Sequence, residues 1–280
     1  MSLDLIPAKK SLPAAAVPIH TVDRAAWTAS QAGLDETRRR WLATVGFEGA
    51  PDSHALVAAD DGRLLEVWAG VRTAEDPYAL AALPRQLPPG VYRLGDGGLA
   101  LSEEAAALSW ELGSYVFDLY KAAKREPASL VLPASDAASR GALVAAAIAA
   151  VRDLVNTPAE HMGPAELAEA ARLVAREHGA KFRQIVGDEL LKKGFPAIHA
   201  VGRAATRAPR LIELNWGDPK RPRVAIVGKG VCFDSGGLDI KGAEGMRLMK
   251  KDMGGAANAL GLASLVMALG LPVRLQVLIP

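Results

Sequence analysis

Four charged side chains follow one another in a glycine-rich stretch, and their types suit metal binding and carbonyl chemistry. They are Lys229, Asp234, Lys241 and Asp252. Carboxylates are ligands for hard or borderline divalent ions such as Mg²⁺, Mn²⁺ and Zn²⁺. A lysine joins such a set only as a neutral amine, a state that an adjacent dication favours. The stretch therefore predicts a metal site made of two carboxylates and an amine.

A second lysine in the same stretch suits a different task. If Lys241 stays charged, it could stabilise the oxyanion that develops when water attacks a carbonyl. One carboxylate could also bridge two ions about 3.5–4 Å apart, the spacing of two-metal hydrolytic sites. The pattern is therefore typical of metal-assisted hydrolysis.

The surrounding sequence predicts how these side chains converge. Lys229 follows a predicted strand, Val224–Val227, and ligands gather at the carboxyl ends of strands in open α/β sheets. Asp252 stands just before a predicted helix, Met253–Leu269. The bend between them is allowed by three glycines, Gly230, Gly236 and Gly237.

Each residue also has a simpler interpretation. Asp252 is well placed as a helix N-cap, both lysines could be ordinary surface lysines, and Asp234 could be a turn residue. Cys232 is better explained as a small packing residue than as a thiolate ligand. Taken singly these interpretations are preferred, whereas the order and spacing together favour the metal site.

Other catalytic motifs are excluded by single residues. Arg223 stands where a phosphate-binding P-loop needs its first glycine. Phe233 stands where the nucleophile elbow Gly-x-Ser-x-Gly needs its first glycine. No histidine is followed directly by glutamate, which excludes a His-Glu-x-x-His zinc motif.

Composition narrows the class of protein. The chain has 280 residues, 50% of them hydrophobic, which suffices for one large domain or two ordinary ones. The net charge is +2 and the basic residues are scattered, so we expect no nucleic-acid partner. Cys232 is the only cysteine, which excludes an intrachain disulfide and fits a reducing compartment.

Targeting signals are not evident. The stretch Met1–Pro7 has an early acid and a proline, unlike a signal peptide. The longest apolar stretch, Ala259–Leu271, is too short for a bilayer, which needs about 20 residues. We therefore expect a soluble, cytoplasmic protein without a membrane partner.

Hydrophobic periodicity and turn residues predict the elements. Residues 1–33 show no clear pattern. Further along, the sequence predicts a helix over 34–47, a hairpin over 54–68, a helix over 101–124, a strand over 129–133 and a long helix over 134–155. The C-terminal part predicts helices over 164–178, 188–193 and 253–269, with strands over 181–186, 210–216, 224–227 and 273–279. This alternation argues for an α/β fold with a mostly parallel sheet.

The stretch Val227–Ala257 resembles the signature of the leucyl aminopeptidase (cytosol aminopeptidase) family. The run Val151–Pro158 also resembles the start of that family's catalytic domain. The resemblance implies a small N-terminal α/β domain and a larger α/β catalytic domain with a mixed, mostly parallel sheet. We expect these at residues 1–133 and 156–280, joined by a linker helix at 134–155.

The resemblance also implies roles for individual residues. Lys229, Asp234 and Asp252 would be metal ligands, with Asp234 serving both of two divalent ions (Mn²⁺, Zn²⁺ or Mg²⁺). Lys241 would be the catalytic lysine that polarises the scissile carbonyl. Met249 would line the pocket for the substrate's N-terminal side chain. Members of the family assemble as hexamers and release N-terminal residues, often leucine, from peptides.

A departure from the family pattern leaves two hypotheses open. The family has a further metal-binding segment, Asn-Thr-Asp-Ala-Glu-Gly-Arg. No stretch of the 280 residues matches this segment. We therefore expect a chain truncated before that segment. The first hypothesis is a metal-dependent aminopeptidase given incompletely. The second is a truncated homologue without catalysis that binds or assembles, possibly on DNA.

Overall fold

A computed structural model describes residues 3–6 and 15–280. Met1, Ser2 and Pro7, which belong to the stretch considered above for a signal peptide, lie outside the described residues. The chain divides into two compact units, Met1–Ala146 and Ala147–Pro280.

The first unit is built on a six-stranded sheet with the order β1-β6-β5-β2-β4-β3. Its strands are β1 (Leu3–Ile6), β2 (Val17–Val22), β3 (His54–Ala58), β4 (Leu64–Gly70), β5 (Val91–Leu94) and β6 (Ser129–Pro133). All neighbouring strands are parallel except β3 and β4. The predicted mostly parallel α/β sheet is thus confirmed for this unit.

Helices accompany this sheet and close its core. They are α1 (Arg24–Ser30), a 3₁₀ turn (Gln31–Gly33), α2 (Glu36–Thr44), α3 (Leu83–Gln86), α4 (Glu103–Ser114) and the first half of α5 (Asp136–Asn156). Ile19, Val67, Trp110 and Leu130 are fully buried in one cluster. Burying such apolar surface supplies the main stabilisation of this unit.

The predicted hairpin is confirmed. β3 and β4 pair antiparallel, and Gly62 in their connection has φ +82°, a conformation that glycine adopts without strain. The Asp-Gly pair therefore forms the turn between the two strands, as the sequence predicts.

The helix predicted over 101–124 is shorter than expected. Its start is as predicted, because the Ser102 side chain accepts a hydrogen bond from the Ala105 N–H. It ends at Ser114, whose hydroxyl donates back to the Trp110 carbonyl. A Cβ at Gly113 would lie 2.0 Å from the Ala81 carbonyl oxygen, so a tertiary contact shapes this last turn.

The second unit contains a four-stranded sheet with the order β7-β8-β10-β9. The strands are β7 (Lys181–Val186), β8 (Arg210–Trp216), β9 (Arg223–Val227) and β10 (Arg274–Ile279). β8 is antiparallel to β7 and β10, whereas β9 and β10 are parallel. The sheet is mixed, and three of its four strands run in one direction.

The second unit contains the three helices that the sequence predicts and two short ones, at Pro196–Gly202 and Ala243–Met246, that it does not. They are α6 (Pro164–Glu177), α7 (Glu189–Lys192), α8 (Pro196–Gly202), α9 (Ala243–Met246) and α10 (Gly254–Ala268), with a 3₁₀ turn at Met249–Met253. Pro164 opens α6, where its missing N–H has no helical partner. Gly179 follows the helix with φ +66°, as a C-terminal stop requires.

The long helix predicted over 134–155 is observed as α5, Asp136–Asn156. The two compact units meet in sequence inside this helix, at Ala146 and Ala147. Its role as a linker between domains stays a prediction. In the part of the chain that the structure describes, no helix is long and apolar enough to cross a membrane.

A charged residue is buried in the first unit beside the hairpin. Glu66 on β4 is only 9% exposed and accepts a hydrogen bond from the Trp68 indole N–H at 3.0 Å. Arg38 lies 3.3 Å and His20 3.7 Å from its carboxylate. The polar contact with His20, together with the Trp68 N–H and the Arg38 charge, holds the pKa of Glu66 below its usual value of 4.5.

We predict that this carboxylate stabilises the first unit in a pH-dependent way. Because folding lowers its pKa, the contribution is present above about pH 4.5 and is lost as pH falls through the lowered value. Glu66→Gln should lower the unfolding free energy at pH 7 by about 1–3 kcal/mol and flatten its acid dependence. Urea unfolding followed by tryptophan fluorescence measures this, since four of the five tryptophans lie in this unit.

Glu48→Gln is the matched control, because Glu48 is exposed. The Glu48→Gln change should alter the free energy of unfolding by no more than about 0.5 kcal/mol. Equal stability of the Glu66→Gln variant and the parent at pH 7 would contradict the prediction.

Candidate metal centre

The parallel pairing of β9 with β10 determines where Lys229 emerges. The Gly228 N–H donates to the Leu278 carbonyl at 3.0 Å, which continues the ladder one step beyond β9. The Gly230 N–H donates to the Pro280 carbonyl at 2.8 Å. Lys229 therefore follows the carboxyl ends of β9 and β10, as the sequence predicts. Hydrogen bonds from Gly228 and Gly230 fix the backbone before and after it.

The start of α10 approaches this backbone closely. A Cβ at Gly228 would lie 2.6 Å from the Gly255 carbonyl oxygen, and a Cβ at Gly255 would lie 2.9 Å from the Lys229 nitrogen. The Ala256 N–H, in the first turn of α10, donates to the Lys229 carbonyl at 2.9 Å. Glycine at both positions is what permits this approach.

Asp252 reaches Lys229 from the turn that precedes α10. The Lys229 Nζ lies 2.9 Å from Asp252 Oδ1. The Asp252 side chain is 13% exposed, and its Oδ2 is buried without a hydrogen-bond partner among the described residues. A buried acceptor left unpaired costs about 1–3 kcal/mol, so Oδ2 is an atom that a bound cation could satisfy.

The interpretation of Asp252 as a helix cap is not supported by its geometry. The cap position of α10 is Met253, and no side-chain hydrogen bond caps this helix. The carboxylate is instead turned to Lys229, a contact between residues 23 apart in sequence.

Asp234 forms the second ion pair of the loop. Its Oδ2 accepts a hydrogen bond from Lys241 Nζ at 2.6 Å, and its Oδ1 accepts one from the Gly236 N–H at 2.9 Å. Gly236 and Gly237 have φ +92° and +65°, which lets the chain bend between the two charges. One carboxylate oxygen therefore stabilises a turn, as the simpler interpretation holds, and the other binds a lysine.

Both lysines of the loop influence Asp234. The hydrogen bonds from Lys241 and from the Gly236 N–H are the main causes that lower the pKa of Asp234, and the charge of Lys229 lowers it as well. Lys229 thus pairs with Asp252 and also acts on Asp234. Met249 is buried and lies three residues before Asp252, one turn of the same 3₁₀ helix.

The donor types fit a divalent metal, while their number is small. Two carboxylates and an amine are oxygen and nitrogen donors of the kind that Zn²⁺, Mn²⁺ and Mg²⁺ accept. The orphaned Asp252 Oδ2 is the atom of the set that is ready to accept such an ion. Among residues 3–6 and 15–280 no group of three or more His, Cys, Asp or Glu side chains lies together in a way that could hold a metal.

Cys232 lies in the core of the second unit, as the sequence predicts. It is 9% exposed and belongs to the same apolar cluster as Met253 and Ile279. Burial raises the pKa of its thiol to about 11, so the thiolate is strongly disfavoured. It is therefore a packing residue in this structure.

A cavity of about 790 Å³ borders Lys229. Most of its lining is apolar, including Leu167, Val201 and Phe233, and Arg207 and Arg210 add positive charge. The cavity gives Lys229 an open side next to its ion pair.

Sequence reasoning missed three residues that position these groups. Gly228 and Gly255 allow the close approach of strand end and helix start, and Lys250 donates to the Asn156 carbonyl at 2.9 Å. In the sequence, Gly228 is marked by the run Gly-Lys-Gly and Gly255 by the pair Gly-Gly. The partner of Lys250 lies 94 residues away, and nothing local indicates it.

Comparisons with known proteins match both units. The model described as "Cytosol aminopeptidase family, catalytic domain" matches residues 149–280, and that described as "M17 aminopeptidase, N-terminal domain" matches residues 17–133. A probable cytosol aminopeptidase from Mycobacterium marinum is 37% identical over 251 residues, which cover 84% of this chain and 45% of the relative. A probable cytosol aminopeptidase from Rhodococcus jostii is 38% identical over 193 residues, 63% of this chain and 38% of the relative.

Solved structures agree with these matches. The cytosol aminopeptidase from Coxiella burnetii is 43% identical with a TM-score of 0.89, covering 99% of this chain and 60% of that one. The bottromycin maturation enzyme BotP in complex with Mn is 31% identical with a TM-score of 0.77, covering 95% and 58%. The chain therefore spans less than half the length of these curated relatives and about 60% of these solved chains.

We predict that Gly228→Ala disrupts the site through its backbone. The new Cβ would lie under 3.0 Å from atoms of Gly255, Ala256 and Ala259, so strand end and helix start must separate. Mn²⁺ affinity, measured by titration calorimetry, should fall by about tenfold or more. Gly242→Ala is the matched control, because no atom lies within 4 Å of its added Cβ. Equal Mn²⁺ affinity in the two variants would contradict the prediction.

Proposed function

Because this chain belongs to the cytosol aminopeptidase family, we propose that the protein releases N-terminal residues of the leucine type from peptides. The reaction depends on two divalent metal ions in this proposal. The family relationship supports an aminopeptidase, and a neighbour of known structure is in complex with Mn.

The observation that carries the proposal is a pair of lysine–aspartate ion pairs in one loop system. Lys229 pairs with Asp252 at 2.9 Å, and Lys241 pairs with Asp234 at 2.6 Å. A purely structural ion pair would satisfy its carboxylate, whereas one buried oxygen of Asp252 has no partner among residues 3–6 and 15–280. This unpaired oxygen favours a ligand-binding role over a packing role.

We assign the ligands on this basis. Lys229, Asp234 and Asp252 would hold the ions, with Asp234 shared between both. When bound, the ions supply Lewis acidity and a water nucleophile at neutral pH. Lys229 must release the proton of its ammonium to act as a ligand, and its partly exposed side chain gives that proton a path to water. Mn²⁺, Zn²⁺ and Mg²⁺ all suit these donors.

Lys241 and Met249 act on the substrate in this proposal. The Lys241 ammonium is 38% exposed and donates to Asp234, so it can turn from that carboxylate to the oxygen of the scissile carbonyl. There it stabilises the negative charge that develops during attack. Met249 offers a flexible apolar side chain next to Asp252, which suits an N-terminal leucine.

Assembly and location follow from the family as further proposals. We expect a homohexamer in the cytoplasm, with peptides as substrates and without a membrane or nucleic acid as partner. Native mass spectrometry of the protein isolated from its source gives the subunit mass and count together. A complex of six subunits is the expected result.

The activity is tested on protein isolated from its source. Hydrolysis of leucine amide should stop after chelation by EDTA and return on addition of Mn²⁺ or Zn²⁺. Metal-independent hydrolysis would contradict the proposal. Absence of hydrolysis combined with salt-sensitive DNA binding would favour the alternative, a binding protein built on this fold.

We predict that Lys241→Ala separates chemistry from metal binding. Turnover of leucine amide should fall by at least about 100-fold, because the oxyanion loses its charged donor. Metal content, measured by elemental analysis, should stay near that of the parent. Lys220→Ala is the control, since Lys220 is an exposed turn residue. Unchanged turnover in the Lys241→Ala variant would overturn the role of Lys241.

A further inference from the structure

A lysine next to the proposed ligands binds the end of the longest helix. The Lys250 Nζ donates to the Asn156 carbonyl at 2.9 Å, and the bond is partly buried. Asn156 is the last residue of α5, and carbonyls in the last turn of a helix commonly accept hydrogen bonds from outside it. A positive charge is also favourable at the negative end of the helix dipole. The contact is therefore a specific cap on α5, made by a residue from the loop system.

Apolar packing accompanies this polar contact. The residues Val151, Leu154 and Val155 in the last turns of α5 pack against a core cluster that includes Met253. Met253 is fully buried, and a Cβ at Gly254 would lie 3.9 Å from a methyl group of Val155. The end of α5 thus makes a hydrogen bond to the turn at Met249–Met253 and packs against the apolar cluster to which Met253 belongs.

The turn that carries Asp252 needs such an anchor. It is a 3₁₀ turn of five residues, and 3₁₀ hydrogen bonds have poorer geometry than α-helical ones. Lys229 holds Asp252 Oδ1, whereas Oδ2 is buried without a partner among the described residues, so only one oxygen of the carboxylate is fixed by a hydrogen bond. Lys250 lies on this turn between Met249 and Asp252, and its side chain bonds the turn to the end of α5.

We propose that Lys250 is a positioning residue for the metal site. Its ammonium holds the Met249–Met253 turn on α5 and so fixes the direction in which the Asp252 carboxylate points. The inference rests on the proposed function, in which Asp252 is a metal ligand. Lys250 itself touches neither metal nor substrate in this assignment.

The test compares two neighbouring lysines. Lys250→Met keeps the aliphatic stem and removes the ammonium, and Lys251→Met makes the same change at an exposed position. Loss of a group that orients a metal ligand typically weakens metal affinity about 10–100-fold. We expect a drop in this range in Mn²⁺ affinity for Lys250→Met, and no drop for Lys251→Met. Lys250→Arg should restore most of the affinity, because guanidinium also donates to a carbonyl.

The measurement is titration calorimetry with Mn²⁺ on the metal-free protein isolated from its source, with thermal unfolding run in parallel. A role confined to folding would lower the unfolding midpoint while the folded fraction binds Mn²⁺ as the parent does, and this result would overturn the inference. If Lys250→Met does not fold, Lys250→Gln replaces it, with the same expected loss of affinity.

Asp252→Asn separates this inference from the function on which it rests. If Asp252→Asn loses Mn²⁺ affinity while Lys250→Met matches Lys251→Met, the inference about Lys250 is wrong and the proposed ligand role stands. If Asp252→Asn binds Mn²⁺ as tightly as the parent, Asp252 is not a ligand, and both proposals fall. A loss in both Asp252→Asn and Lys250→Met, with rescue by Lys250→Arg, supports both.

Discussion

The close approach of the end of β9 to the start of α10 is the constraint on which the candidate site depends. Gly228 and Gly255 lack the Cβ atoms that would collide there, and the Ala256 N–H binds the Lys229 carbonyl. With a larger residue at either position, the end of the strand and the start of the helix would have to move apart. The ion pair of Lys229 with Asp252 exists because this backbone contact brings two distant loops together.

The two lysine–aspartate ion pairs of the loop contribute little to the stability of the fold. Each carboxylate is paired with a lysine, yet both lysines are more than one third exposed, and such pairs contribute little to folding. The unpaired Asp252 Oδ2 costs free energy that the fold must supply elsewhere. In the proposed function this cost is offset when the oxygen binds an ion.

The first unit has its own core and its own electrostatic constraint. Its sheet is nearly all parallel and buries large apolar side chains such as Ile19 and Trp110. The carboxylate of Glu66 is accommodated only because Trp68, Arg38 and His20 surround it. These contacts explain how a charged residue persists beside that core, and none of them uses the residues proposed for catalysis.

Local signals determined much of this protein from sequence alone. The Asp-Gly turn of the first hairpin, the Ser102 cap and the bounds of α6 depend on backbone preferences within a few residues, so they were predictable. The order of Lys229, Asp234, Lys241 and Asp252 indicated the family and the donor types. Only the tertiary structure decided that α4 ends at Ser114, that Asp252 faces Lys229 instead of capping α10, and that Lys250 binds α5. These outcomes rest on contacts between residues far apart in sequence, whose energies no local pattern records.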